Sequence, residues 1–252
     1  MPSRPSRNLA GTAVLAIITL LSACQSLTPE DPPPVEFRRS LVEKKKDGCQ
    51  DDNCALVNLD LLQFPTEPAL DRLIDERLRS MTRYAPEDPI PATLTVYQNG
   101  FLTSAEPGWG SWLQAKVRDW HGQVLVIELS SYLFEGGAHG HPGRGFINYQ
   151  LEQNRELKLQ DMLVPGTEGK FWRIVQQAHR EWVRKNHADQ ALTFLETWPF
   201  QRTLNIALLR NHVQLKYDVA TIAPYADGHP ELNIPYAKLE GVIRSEYRGG
   251  DG

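Results

Sequence analysis

The sequence predicts an α+β fold, a mostly antiparallel sheet packed with two main helices. Three observations carry this expectation. Short apolar runs at strand spacing recur along the chain, only two stretches keep an apolar stripe at helical spacing, and glycine- or asparagine-bearing turns separate the runs. With 252 residues, 41% hydrophobic and 23% charged, the chain can bury a sizeable core, which excludes wholesale disorder.

Residues 54–64 (CALVNLDLLQF) read as the first strand. Thr66 is expected to cap a helix reaching Met81, because Leu70, Leu73, Ile74, Leu78 and Met81 share one face. Pro86, Pro89 and Pro91 then break the chain. Strands are expected at 93–103, with Asn99-Gly100 as a turn, and at 111–120 and 122–135, joined at His121-Gly122. Residues 144–151 form another, and residues 152–155 turn back into ELKLQDML. The best helix is 168–186, striped by Phe171, Ile174, Val175, Ala178, Trp182 and Val183. Strands near 202–208 and 212–219, a loop at 223–228 and a final strand or short helix at 231–247 complete the chain.

The N-terminus points to export. Arg4 and Arg7 precede an apolar run from Leu9 to Ala23, too short for the roughly 20 residues of a membrane span. The run ends Leu21-Ser22-Ala23-Cys24, which resembles a bacterial lipobox: a lipoprotein signal peptide over 1–23, with Cys24 lipidated. The alternatives are an ordinary cleaved signal or an uncleaved anchor. Gln25 after the cysteine resembles the outer-membrane sorting class. Removing 1–23 takes away two of 27 basic residues and none of 31 acidic ones, giving a net charge of −6. That balance gives no reason to expect nucleic acid.

Residues 24–48 contain Pro32, Pro33 and Pro34 and read as a flexible tether. Lys44, Lys45 and Lys46 are expected to be solvated rather than bound to lipid headgroups. Cys49 and Cys54 are expected to form a small-loop disulfide in an oxidising envelope. Residues 49–108 are taken as a strand-helix N-terminal region and 109–247 as a C-terminal domain.

Catalytic signatures are weak. His139 and His141 form HxH beside Glu135, yet the other histidines are scattered and HExxH is absent, so no metal or cofactor is expected. GxSxG is absent too. Two close carboxylates would suit a glycosidase, but Glu128, Glu135 and Asp161 have no distinguishing context. Trp109, Trp112 and Trp120 cluster, and Trp109, in the loop Pro107-Gly108-Trp109-Gly110, is the candidate for an exposed ligand contact.

The most unusual stretch follows a long apolar strand: Gly136-Gly137-Ala138-His139-Gly140. A tight turn or close backbone approach explains the glycines, with His139 hydrogen-bonding the turn. Later come Leu157–Leu163 (LKLQDML), the loop Ile222-Ala223-Pro224-Tyr225-Ala226-Asp227-Gly228, and Ile234-Pro235-Tyr236. Together, over about 110–243, these resemble the RsiV C-terminal domain family, also called domain of unknown function 3298. The second motif ends in Leu163 where family members commonly have Phe.

In the family's namesake this region binds lysozyme outside the cell and controls release of a sigma factor. Here eight residues precede the apolar run, so a freestanding envelope domain is expected. The resemblance and the signal together imply a lipid-anchored, non-enzymatic binding module, in the outer membrane facing the periplasm. Its partner would be a protein, such as a lysozyme-type muramidase, or a cell-wall ligand such as peptidoglycan. The alternatives are an envelope glycan hydrolase and a structural or assembly lipoprotein without a soluble ligand.

Overall fold

The computed structural model describes residues 34–249. The expected signal peptide, Cys24 and the start of the tether lie outside the described residues. Among the described residues, no helix is long and apolar enough to cross a membrane.

The main body is a six-stranded sheet whose strands neighbour one another in chain order: β1 (Arg38–Lys45), β2 (Leu56–Gln63), β3 (Gly110–His121), β4 (Val124–Phe134), β5 (His141–Gln150) and β6 (Arg155–Glu156). All neighbours are antiparallel except β2 and β3. A parallel pair needs a long crossover, and α1 (Pro68–Ser80) and α2 (Leu94–Ser104) supply it. These helices pack on one face of the sheet, where Leu70, Ile74, Leu78, Phe101 and Leu102 meet Val57, Leu113, Leu125, Ile127 and Ile147. The fold is α+β with a mostly antiparallel sheet.

Expectations change for the crossover helices, for the tether and for the domain division. Residues 93–103 are not a strand with an Asn99-Gly100 turn; they form α2. Thr93 caps it, its hydroxyl accepting from the Val96 amide at 3.0 Å. The buried positions Leu94, Gln98, Phe101 and Leu102 fall at helical spacing. The strand-forming Thr, Val and Tyr residues hid that period, and Gly100 faces open space, so it breaks nothing essential. Thr66 does not cap α1 either. The helix begins after Glu67, and the Asp71 carboxylate accepts from the Phe64 amide at 2.7 Å.

The second change concerns the tether. Residues 38–45 are strand β1, paired residue for residue with β2 from Arg38–Gln63 to Lys45–Leu56. Lys46 and Lys44 are bound to α2 rather than merely solvated. Lys46 Nζ donates to the Ala105 carbonyl at 2.6 Å and Lys44 Nζ to Asn99 Oδ1 at 3.0 Å. A lysine at that position also complements the negative C-terminal end of the helix. The Cys49–Cys54 disulfide closes the loop between β1 and β2.

The third is the division at 108/109. The sheet runs continuously across it, because β2 pairs with β3, and the described residues form a single compact unit. The cores divide by sheet face instead. On the opposite face, over Val124, Val126 and Phe146, lies a three-stranded antiparallel sheet. Its strands are β7 (Ile206–Leu208), β8 (His212–Lys216) and β9 (Glu231–Pro235). They follow α3 (Leu159–Met162), α4 (Glu168–Asn186) and α5 (Ala191–Thr197). The amphipathic α4 matches its expected bounds and buries Phe171, Trp172, Val175, His179 and Val183.

One buried side chain fastens the two sheets. Asn148 Nδ2 donates to the Ile206 carbonyl at 2.7 Å, and the Leu208 amide donates to Asn148 Oδ1 at 2.7 Å. The carboxamide thus mimics a strand backbone and satisfies two groups that burial would otherwise leave unpaired. Nearby, buried Glu128 accepts from Lys216 at 2.8 Å and pairs with Lys116 at 3.2 Å. Burial pushes its carboxyl up, but the lysines outweigh that and hold it below the ordinary carboxylate range.

Candidate functional site

Two of the sequence motifs, some eighty residues apart, meet at one end of the large sheet. The chain leaves β4 through Gly136 and Gly137, both in the left-handed region at φ 84° and 88°. Successive left-handed residues turn the chain back within a few positions, a conformation that side chains resist. At Gly140 the requirement is different. A Cβ there would lie 2.4 Å from the Tyr132 ring and 2.8 Å from the Leu133 carbonyl oxygen. The returning strand therefore runs flush against the sheet.

This turn presents His139 to the loop between β8 and β9. The His139 ring stacks on Tyr225, centroids 4.6 Å apart and planes 26° from parallel. The Tyr225 hydroxyl donates to the Gly140 carbonyl at 3.1 Å. Stacking on Tyr225, rather than the expected hydrogen bond to the turn, is the contact that fixes His139. Farther along the loop, Asp227 contacts His187 Nε2 at 2.8 Å, at the C-terminal end of α4. His229 Nδ1 meets the Tyr217 carbonyl at 2.9 Å.

His141 goes elsewhere. Its ring lies 4.7 Å from Tyr84, which the connection between α1 and α2 delivers. His139 and His141 thus serve separate aromatic pairs and do not converge as ligands. Among the described residues, one group of three ligand atoms stands close together, Cys49, Asp51 and Cys54, and its sulfurs are joined in the disulfide. The three acids singled out from the sequence also separate. Glu128 belongs to the lysine cluster, and Asp161 accepts from the Lys158 amide at 2.8 Å, capping α3. Glu135 lies beside Tyr84, whose hydroxyl is raised above its ordinary value by desolvation and by that carboxylate.

Tyr84, Ser131, His139, His141, Asp218 and Tyr225 line an open cleft of about 550 Å³. Next to it, on the sheet face away from α1 and α2, Trp112 and Tyr132 face one another across β3 and β4, with ring centroids 5.6 Å apart. Tyr84 is 58% exposed and Tyr225 36%, so the rings lining the cleft remain open to solvent, and the Trp112–Tyr132 pair outside it is exposed to 37% at each ring. An array of exposed rings around a polar hollow can stack on flat or apolar surfaces and orient them with a few polar groups.

Trp109, the expected contact, is half-buried. It packs into the α2-side core, 6.5 Å from Phe101, and its Nε1 lies 3.6 Å from where a Cβ on Gly136 would be. It supports the glycine turn from below. The exposed tryptophan is instead Trp112. The available signal was strand alternation: Leu113 and Ala115 face the core, so Trp112 faces away. Tyr84 had no such signal, since its position depends on how the α1–α2 connection folds back. The other motifs are structural. Leu157, Leu159, Met162 and Leu163 are core residues, and buried Tyr236 donates to the Leu209 carbonyl at 2.8 Å.

A family profile described as "Protein of unknown function (DUF3298)" matches residues 160–237. The crystal structure of a DUF3298 family protein from Pseudomonas aeruginosa PAO1 is 52% identical, with a TM-score of 0.81 over 86% of this chain and 98% of that one. A DUF3298 family member from Bacteroides fragilis NCTC 9343 is 20% identical, with a TM-score of 0.63 over 84% of this chain and 95% of that one, a likeness of fold. No curated protein matches the chain.

Proposed function

The chain belongs to the DUF3298 family, whose function is unknown, and we propose that it is a non-enzymatic binding module of the bacterial cell envelope, anchored by lipid at Cys24. Its ligand seat is the cleft between the Gly136–Gly140 turn and the Tyr225 loop. One observation carries the reading. Three separate segments bring Tyr84, His139, His141 and Tyr225 together, and their rings pair with one another while staying open to solvent. Ordinary folding buries large rings, so a preformed set of half-exposed ones suits recognition.

The ligand is a protein or a cell-wall component, and a lysozyme-type muramidase is the first partner to test. The family resemblance suggests it. The net charge of −4 over the full sequence also favours encounter with a basic enzyme. Titration of the purified full chain with c-type lysozyme at low salt tests the partner. Saturable binding that Tyr225→Ala and Tyr84→Ala each weaken about tenfold supports both partner and site. Absence of binding at tens of micromolar removes lysozyme. Affinity capture from envelope extract, compared between the parent chain and Tyr225→Ala, then tests the cleft itself. Palmitate labelling that Cys24→Ser abolishes tests the anchor.

A further inference from the structure

We propose that the free edge of β1 is a second binding site, which accepts an extended acidic segment of a partner protein as an added strand. The strand stands at the end of the six-stranded sheet, and among the described residues nothing pairs with its outer side. Its eight residues keep an unbroken register with β2. An edge of that length carries a row of unpaired backbone donors and acceptors. Proteins usually blunt such edges by shortening them, bulging them, inserting proline or placing charges on them. Between Arg38 and Lys45 the first three are absent, and the charges stand toward the two ends, leaving Leu41 and Val42 uncovered at the centre.

The side chains narrow the occupant. Leu41 is 60% exposed and Val42 43%. Being consecutive in a strand, they project to opposite faces of the sheet. A flat lipid surface could cover one of them; an added strand flanks both, because its own side chains alternate in the same way. The strand holds four basic residues and one acid. Arg39 is committed to Asp60, with contacts of 2.5 and 2.8 Å, and Lys44 to Asn99. Arg38, 3.9 Å from Glu36, and Lys45 mark the two ends of the edge.

A second copy is a poor occupant. The antiparallel register that pairs all eight residues with themselves sets Arg38 against Lys45 and Arg39 against Lys44, and directly opposed like charges destabilise a sheet. An incoming segment with carboxylates at its ends and apolar residues in its centre meets both the charge and the exposed Leu41–Val42 pair. It would bind by backbone pairing, with the ends setting its register.

The test uses the full chain in detergent and a blocked octapeptide with glutamates at both ends and alternating valine and threonine between. Binding is read by anisotropy, and occupancy of the edge by amide hydrogen exchange over residues 38–45. The expected result is saturable binding with slowed exchange in β1. It should weaken at least about tenfold when the peptide is N-methylated on alternate residues or carries lysine for glutamate. The double variant Leu41→Lys, Val42→Lys should also weaken it, with exchange in β3 and β4 unchanged as evidence of folding. The proposal is overturned if the N-methylated peptide binds as well as the parent, or if the peptide leaves β1 exchange unaltered. It is equally overturned if phosphatidylglycerol nanodiscs protect β1 without peptide, or if Leu41→Cys crosslinks two copies through that position.

Discussion

His139 and Tyr225 lie ring on ring, 4.6 Å apart, although 86 positions of sequence separate them. The same tyrosine reaches past the histidine to donate to the Gly140 carbonyl. One aromatic side chain therefore fixes both the glycine turn and its own loop. Tyr225→Phe keeps the stack and loses the hydrogen bond, at a cost of about 1 kcal/mol. Tyr225→Ala loses both, and hydrogen exchange should rise in the 136–140 turn as well as in the 222–228 loop. Faster exchange in the loop alone would show that the two are not coupled.

Gly140 is fixed by space. Gly140→Ala places a methyl group against the Tyr132 ring and the Leu133 carbonyl. The expected destabilisation is about 1–3 kcal/mol in denaturant titration, because the backbone oxygen cannot step aside as a flexible side chain would. Gly100→Ala is the control. It sits in α2 with open space around it, and should stabilise by about 0.5–1 kcal/mol.

Asn148 joins the two sheets by standing in for backbone. Asn148→Leu leaves the Ile206 carbonyl and the Leu208 amide buried without their partner. The expected loss is about 2–4 kcal/mol, measured by chemical denaturation. An unfolding midpoint equal to the parent's would show that these groups find other partners.

Burial lowers His121, His179, His212 and His229 below the ordinary histidine value of 6.5. The unfolded chain takes up protons near that value, whereas the folded chain resists them until lower pH. Stability should therefore be complete above about pH 7 and fall as pH drops through 6.5 toward the lowered values. The depressed Glu128 and Asp60 carboxyls add a further loss at more acid pH. Each histidine contributes at most about 1.4 kcal/mol per pH unit within its window. His179 is fully buried against Phe200 and the Ile222 backbone, so His179→Leu should flatten the slope between pH 7 and 5.5. An unchanged slope would reassign the titration to other groups.

The Cys49–Cys54 bridge closes a short loop between β1 and β2. Replacing both cysteines with serine should cost about 2 kcal/mol, the loop-closure value for so few residues. Exchange should rise first in β1, since the large sheet's remaining strands have neighbours on both sides or, in β6, a pairing remote from the bridge.

The sequence alone determined the elements whose signal is local. The apolar stripe from Phe171 to Val183 can only be an amphipathic helix, and Gly122 must turn the hairpin between two apolar strands. Two cysteines five positions apart had one another as neighbours, and the glycines at 136, 137 and 140 marked a backbone that side chains could not follow. Tertiary structure decided the rest. Strand-favouring residues over 94–104 became a helix because only a helix buries Leu94, Gln98, Phe101 and Leu102 together. A proline-led, lysine-rich stretch became β1 because β2 offered it an open edge. The aromatic cleft was invisible in the chain for the same reason. Pairing of Tyr84 with His141 and of Tyr225 with His139 depends on which distant segments the packed sheets bring into contact, and no local pattern encodes that.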